Sequence, residues 1–435
     1  MYHKKAGDVM SFFYSPFTDR NGNPIDIFHL QHRHLSQLLS KEVEEGYQVE
    51  YKTSLTDSVK KKVPKIITSF ANSAGGWLFI GVDEKTLELD KLEKPQRTDY
   101  NQIISQLLRE HVSPLPRFDA RFLKAKGASS GVLVIYIFEG NNPPYVADGT
   151  VYIRNGSSSE PAKSQRAEID ILYQKRKDFE IRIKDFFKRE IYYPMDDIES
   201  NQVVLCNIYI MNTAEFFSQN TSMRLDEIAE KFINISPNQF HNYIFSNKSI
   251  IFQNSKVIGK YQIGINLELF SDYSAKIHMP IKQLDDYDKE MAVDKLKHIS
   301  GQRFIDDFVL LDGYSACQSF QYIVQQYFQF LKNENIDLSA FLYQMSLEEA
   351  ENSILYFDSE PYASYVRAHD IPYCCKSALK TPTNYFEQQT KRESGSDFVI
   401  LLLYFFFMFG LNPMDAAEMY TEAMKDNPTR NLNIT

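Results

Sequence analysis

The stretch FANSAGGWLFIGVDE, Phe70 to Glu84, holds the only Gly-Gly pair of the chain and limits the fold more than any other segment. Ile66, Ile67, Phe70 and Ala71 recur at helical spacing, and Gly75 and Gly76 stop that helix and allow a sharp turn. WLFIGV then reads as a buried strand, ending on two acids, Asp83 and Glu84. Acids at the end of a buried strand are costly unless something meets them. The rest of the sequence has to supply that partner.

Upstream, YQVEYKTSL alternates as a half-buried strand does, with Val49 and Tyr51 on one face and Glu50 and Lys52 on the other. Glu45 precedes it in EEGYQVE, with Glu44 an equal candidate for the same place. If the strand ending at Asp83 lies beside the strand carrying Glu50, then Glu45, Glu50, Asp83 and the Lys52 ammonium converge. Hard oxygen ligands on one face suit Mg²⁺ or Mn²⁺, which lowers the pKa of a bound water and offsets phosphodiester charge. Lys52 would hold a phosphate oxygen or stabilise developing charge. On spacing alone, a solvated strand face with a weak ion pair explains Glu50 and Lys52 as well.

Around this core, FFYSPFTDRNGNPIDIF suggests a hairpin turning at NGNP, and Tyr100 to His111 a helix. GVLVIYIFEG and TVYIRNG read as further strands, joined by the Pro/Gly-rich NNPPYVADG. Strands, one or two helices and more strands predict an α+β layered domain over residues 1–193. The charged helix QRAEIDILYQKRKDFEIRIKDFFKRE leads out of it, with a boundary near Tyr193 to Asn201. Residues 201–283 predict a small α/β module. After a strand, QVVLCNIYIMN, the segments MRLDEIAEKF, ISPNQFHNYIF and SIIFQNSKVIGKYQIG have the helix, helix, hairpin order of a winged helix. The second of these helices has no Lys or Arg until Lys248, which points to packing rather than DNA readout. Residues 284–435 read as a mostly helical regulatory or oligomerisation region.

The net charge of −9 is unevenly spread. Residues 1–190 hold 29 Lys and Arg against 25 Asp and Glu, and residues 191–435 hold 19 against 32. The basic half and the acidic half should have different jobs. Lys60, Lys61 and Lys62 lie close in sequence to the acids and could hold a nucleic-acid backbone, or form a solvated face. Arg154, with Ser157 and Ser158 in YIRNGSSSE, could cradle a phosphate at a strand end. The four cysteines are scattered without a CxxC pair, which reads as a reducing cytoplasm. FVILLLYFFFMF, Phe398 to Phe409, falls well short of the roughly 20 residues of a spanning helix, so it reads as a core helix or an oligomer interface and no membrane is expected.

Taken whole, EEGYQVEYKTS, FANSAGGWLFIGVDE and NNPPYVADGTVYIRNGSSSEPA resemble the Schlafen-type AlbA-like domain in the expected order over about 120 residues. The resemblance implies a nucleic-acid-binding α+β fold and, in nuclease members, a three-carboxylate, metal-dependent site that cuts tRNA or other structured RNA. Carried over, Glu45 and Glu50 match the two glutamates, Asp83 the aspartate and Lys52 the following lysine. The zinc-binding cluster of animal members has no counterpart, because residues 1–205 contain no cysteine.

These readings converge on an Mg²⁺- or Mn²⁺-dependent endoribonuclease, with a toxin-like or anti-phage role as one setting that suits the architecture. A non-catalytic nucleic-acid-binding regulator of the same fold is the alternative, and an assembly or sensor protein a second. Animal Schlafens pair two related lobes, whereas this chain carries one copy of the pattern, so a homodimer or higher homo-oligomer is expected.

Overall fold

The computed structural model describes residues 14–41 except 21, 23, 26 and 28, then 43–93, 100–162, 166–188, 204–213, 225–235, 242–258, 261–301, 305–334, 336, 338, 341–386 and 396–426. The chain divides into two units, Met1–Asp185 and Phe186–Thr435. The boundary expected near Tyr193 to Asn201 lies outside the described residues.

In the N-terminal unit, β1 (Val49–Lys52) pairs in parallel with β2 (Gly76–Ile80), so the strand carrying Glu50 does lie beside the strand that leads to Asp83. Strand β3 (Leu92–Glu93) and strand β5 (Phe118–Leu123) both pair with β6 (Ser130–Ile137), which runs antiparallel to β2. Alternation sends Leu78, Ile80, Leu133, Ile135 and Ile137 to one side of this sheet. There they meet Ile66, Ile67 and Phe70 of helix α3 (Val63–Asn72) and Ile104 and Leu108 of α4 (Tyr100–His111). Trp77, Phe79, Val132, Val134 and Tyr136 face the other side, where Phe17, Ile25, Leu30, Leu35 and Leu38 cover them. A sheet buried on both faces explains why WLFIGV and GVLVIYI are continuous apolar runs. The short helices α1 (Ser36–Ser40) and α2 (Asp57–Lys60) flank the sheet in sequence, and Thr18 bridges Pro24 across the NGNP turn. A second small sheet joins β4 (Val112–Ser113), β7 (Val146–Ala147), β8 (Thr150–Asn155) and β9 (Ser158–Pro161). The unit is mixed α+β, and α5 (Arg166–Phe186) leaves it.

The half-buried strand expected at Glu50 is buried along its whole length. Val49 and Tyr51 enter the second core, and Glu50 and Lys52 lie opposite Leu78 and Ile80 on the α3 side.

The C-terminal unit is built on an eight-stranded antiparallel sheet. Its order is β11 (Asn242–Phe245), β12 (Ser249–Ile258), β13 (Tyr261–Phe270), β14 (Ala275–Ile281), β10 (Val204–Asn212), β16 (Phe341–Glu348) and β18 (Leu379–Lys380), with β19 (Asn384–Tyr385) also on β16. The winged-helix reading needs correction. After α6 (Leu225–Ile235), the tail of the expected second helix, Asn242–Phe245, is a strand, and the expected hairpin is part of the large sheet. A short apolar run bears either reading, and sheet pairing decides it. Residues 236–241 lie outside the described residues.

Helices dominate the rest: α7 (Asp286–Ser300), α8 (Gly313–Asn333), α9 (Glu360–His369), α10 (Ser396–Met408) and α11 (Pro413–Asp426), beside a parallel pair of strands, β15 (Val309–Asp312) and β17 (Ser353–Tyr356). Helix α10 carries the FVILLLYFFFMF run. Its Leu401, Phe405 and Phe406 are buried, with Phe405 5.1 Å from the ring of Phe320, while Val399 and Phe407 are exposed. Among the described residues no helix is long and apolar enough to cross a membrane.

Candidate functional site

The turn at Gly75-Gly76 is fixed by lack of space. Gly75 has φ +72°, and a Cβ there would lie 2.7 Å from the Ile137 carbonyl. A Cβ on Gly76 would strike the Phe70 ring at 2.5 Å. Asn72, the last residue of α3, donates to the Tyr145 and Tyr152 carbonyls at 2.9 and 2.8 Å and accepts from the Tyr145 N–H at 2.8 Å. That clamp ties α3 to the β7–β8 sheet. Gly81 and Val82 then donate to the Lys52 carbonyl at 2.7 and 3.2 Å, so β2 exits directly beside the end of β1.

Three carboxylates meet one ammonium at this exit. Lys52 Nζ lies 2.9 Å from Glu84, 3.0 Å from Glu50 and 3.8 Å from Glu45. Glu45 also accepts from the Tyr51 N–H at 2.9 Å, whereas Glu44 is exposed, so the geometry selects Glu45 for the first position. Asp83 does not join them. Its Oδ1 accepts from the backbone N–H groups of Lys85 and Thr86 at 3.0 and 2.9 Å and from the Thr86 hydroxyl at 3.1 Å. Those bonds hold its pKa below the usual carboxylate range. Asp83 caps the turn that aims Glu84 at Lys52.

Arg154 also departs from its expected role. Its side chain is fully buried, with Nη1 2.7 Å from Glu50, Nη2 donating to the Gly46 carbonyl, and the guanidinium 4.5 Å from the Phe70 ring centre. It also donates to Ser159 at 3.2 Å, and Ser159 shares a 2.8 Å bond with Ser69. A guanidinium enclosed in this way holds Glu50 and the Gly46 loop and has no surface left for phosphate. Ser157 and Ser158 are exposed at the tip of the β8–β9 hairpin, where Gly156 takes φ +59°. Lys61 and Lys62 are exposed after α2, and Lys60 pairs with Asp57 at 3.0 Å. Both groups remain available to a backbone but stand outside the carboxylate cluster's hydrogen bonds.

Exposure rises along the cluster from Arg154 (0%) through Glu50 (10%) and Lys52 (11%) to Glu45 (30%) and Glu84 (47%), so its open end is the Glu45–Glu84 side. Burial pushes the Glu45 carboxyl up; the Tyr51 N–H opposes this, and nearby Glu50 adds to it. Burial opposes the Lys52 charge, but Glu84, Glu50 and Glu45 together hold its pKa above the ordinary value. Lys52 is a fixed ammonium. The same geometry tests the expected Mg²⁺ or Mn²⁺. The donors are of the right kind, but Lys52 holds the point they share and both Glu50 oxygens are engaged. Among the described residues no three His, Cys, Asp or Glu are set to hold a metal ion. As arranged, the residues do not fit the ion.

Residues 45–163 match the Schlafen, AlbA_2 family model. The match begins at Glu45 and covers the helix, the Gly-Gly turn, the acidic strand exit and the hairpin of Arg154. The matched segment takes up most of the described N-terminal unit, and the likeness suggests a nucleic-acid-binding or nuclease family. No curated protein matches the chain. Among solved structures, the DIP2311 protein from Corynebacterium diphtheriae aligns at 17% identity with a TM-score of 0.23, over 44% of this chain and 34% of that one.

Glu84 is the functional candidate that sequence reasoning passed over in favour of Asp83. Its signal was present: Asp followed by Thr three residues later is the pattern of a side-chain-capped turn, which uses up the Asp.

Proposed function

We propose that the Schlafen AlbA_2 domain binds RNA in preference to DNA and cuts it at the Glu45, Glu50, Glu84 and Lys52 cluster. The observation that carries this reading is the convergence of three carboxylates on a lysine whose charge they hold in place, at the open end of a buried network. Glu45, with its raised pKa, is suited to take the proton of an attacking ribose 2′-hydroxyl. The O2′–P bond forms, the P–O5′ bond breaks, and the Lys52 ammonium stabilises charge on the phosphoryl oxygens. The 5′-oxygen leaves with a proton from water. A 2′-hydroxyl nucleophile is the chemical reason to favour RNA. Lys61, Lys62, Ser157 and Ser158 would contact the backbone.

Cutting that depends on Mg²⁺ or Mn²⁺ is the second reading, favoured by three carboxylates facing one cationic point. It requires Lys52 to leave that point. A homodimer would add a second binding lobe, with exposed Val399 and Phe407 of α10 as apolar surface for it. Light scattering of the full chain tests that assembly.

The deciding experiment incubates the full chain with RNA, its 2′-deoxy counterpart and plasmid DNA, in EDTA, Mg²⁺ or Mn²⁺. RNA cut in EDTA with the deoxy strand intact, and lost in Glu50→Gln, is the expected result. Cutting only with a divalent ion moves the function to the second reading. Salt-dependent binding without cutting makes the domain a non-catalytic regulator. Absence of binding overturns both readings.

A further inference from the structure

Tyr47 stands beside the open end of the carboxylate cluster, two residues from Glu45, and takes no part in its hydrogen bonds. Its side chain is 57% exposed, and among the described residues of the matched segment 45–163 no other Tyr, Phe or Trp is exposed. The rest, from Tyr51 and Phe70 to Tyr152, are buried in the two cores or packed against one of them. Among the described residues Tyr47 has no hydrogen bond and no ring contact.

A bare ring on a loose loop would mean little, but the chain on either side of Tyr47 is tied down. Glu45 accepts the Tyr51 N–H at 2.9 Å, and the Gly46 carbonyl accepts from Arg154. The Gly46 N–H donates to the Val49 carbonyl at 3.0 Å, which closes a small loop round Tyr47 and Gln48. The Gln48 carbonyl in turn accepts the Trp77 N–H of β2 at 2.7 Å. Two residues of chain span at most about 7 Å, so the backbone of Tyr47 lies no farther than that from the backbone of Glu45. A Cβ on Gly46, between them, would meet no atom within 4 Å, so the surface there is open.

Charge narrows what the ring can hold. Lys52 is the cation of the cluster and serves one phosphate, the one that is cut. The adjoining nucleotide then meets exposed Glu44 and Glu84 and half-buried Glu45, whose charge repels its phosphate. A neutral ring offers that nucleotide a different hold, because every base has a face that stacks on an aromatic side chain. The backbone under Tyr47 is already fixed, so stacking there orders little that was free.

We propose that Tyr47 is a stacking platform for the nucleobase next to the phosphate that is cut, a positioning residue that seats an unpaired nucleotide at the Glu45–Glu84 opening. The assignment rests on the RNA reading above and narrows its substrate class to single-stranded or looped RNA, since a base stacked on protein has left its pair. The test titrates the full chain, in EDTA, into a fluorescent single-stranded oligoadenylate whose riboses are 2′-O-methylated, so that it is bound without being cut. Tyr47→Ala weakens binding by about tenfold and leaves its salt dependence unchanged, because a base contact is lost and no phosphate contact is. Tyr47→Trp keeps the affinity, and an abasic strand of the same length binds the wild type and Tyr47→Ala equally. The urea midpoint is the same in all three chains, because the ring makes no bond within the protein. Equal affinity of Tyr47→Ala and wild type for the oligoadenylate, a flatter salt dependence in Tyr47→Ala, or a fall in its urea midpoint overturns the platform alone. A wild-type chain that binds no RNA overturns the RNA reading and the platform with it.

Discussion

Both large sheets bury polar side chains, and they do so differently. In the C-terminal sheet, Asn207 on β10 lies opposite His278 on β14 and Ser346 on β16. Its amide bonds both neighbours, His278 Nδ1 at 2.7 Å and the Ser346 hydroxyl at 3.3 Å, and all three residues are less than 5% exposed. In the network of the N-terminal unit the linked groups are charged, and it runs from enclosed Arg154 out to half-exposed Glu84. A polar network closed across three strands fixes their register, because a slip of one residue would turn Asn207 away from both partners. A charged network that reaches solvent does something else. It keeps Lys52 ionised and presents it where a ligand can approach.

The sharpest way to break this contrast is to remove the charge that anchors the open network. Arg154→Ala leaves Glu50 buried with half its compensation, and breaking a buried ion pair costs roughly 3–5 kcal/mol. Urea unfolding should show a loss of that order, with RNA cutting lost as Glu50 turns away. A change below about 1 kcal/mol would mean that water reaches the pair and that the network is not enclosed.

The closed network should respond less. Asn207→Ala removes an uncharged partner shared by two strands and should cost about 1–3 kcal/mol in urea unfolding of the full chain, with RNA binding and cutting unchanged. A loss of RNA cutting in this variant would remove the distinction between a register lock and a working site.

How much of this was legible in the sequence depended on whether the signal was local. The Gly-Gly turn, the α3 periodicity and the Tyr100–His111 helix follow from spacing and turn chemistry, and the structure has them there. Glu45, Glu50 and Lys52 meet because alternation within one strand already put two of them on one face. Arg154 was misassigned because its partner is 104 residues away, and nothing local indicates that β8 carries it under Phe70 to Glu50. Asn242–Phe245 was misassigned because four residues have no period that separates strand from helix. The adjacent acids Asp83 and Glu84 differ only through the turn, which takes one inward to the backbone and leaves the other for Lys52.

That division between neighbours gives a smaller test. Asp83→Ala removes three acceptor bonds of an exposed turn and should lower stability only slightly, because water replaces those bonds. Cutting should survive Asp83→Ala at a reduced rate, because Glu84 is then less well aimed, and fall much further in Glu84→Gln. Chemical denaturation and a cleavage time course separate the two effects. If Asp83→Ala abolishes cutting while Glu84→Gln is silent, the third carboxylate is Asp83 after all, in an arrangement that forms on RNA.

The smallest effect is one of pH and concerns Glu45, at the open end of the cluster. Its carboxyl is pushed above its ordinary value by burial and by Glu50, against the pull of the Tyr51 N–H. A carboxyl raised in the folded state releases its proton later than in the unfolded chain. Between the two pKa values the folded state therefore binds more protons, and stability falls as pH rises. The fall begins near the ordinary carboxyl value of 4.5 and is complete above the raised value. Glu45→Gln cannot titrate but still accepts from Tyr51. It should match the wild type near pH 4 and exceed it at pH 7, by less than about 1 kcal/mol because solvent screens a partly exposed group. Urea midpoints at several pH values measure the difference. A wild-type chain that gains stability relative to Glu45→Gln as pH rises would mean that Lys52, rather than burial, governs Glu45. Glu45 would then be held as a permanent carboxylate and would be unsuited to take a proton from RNA.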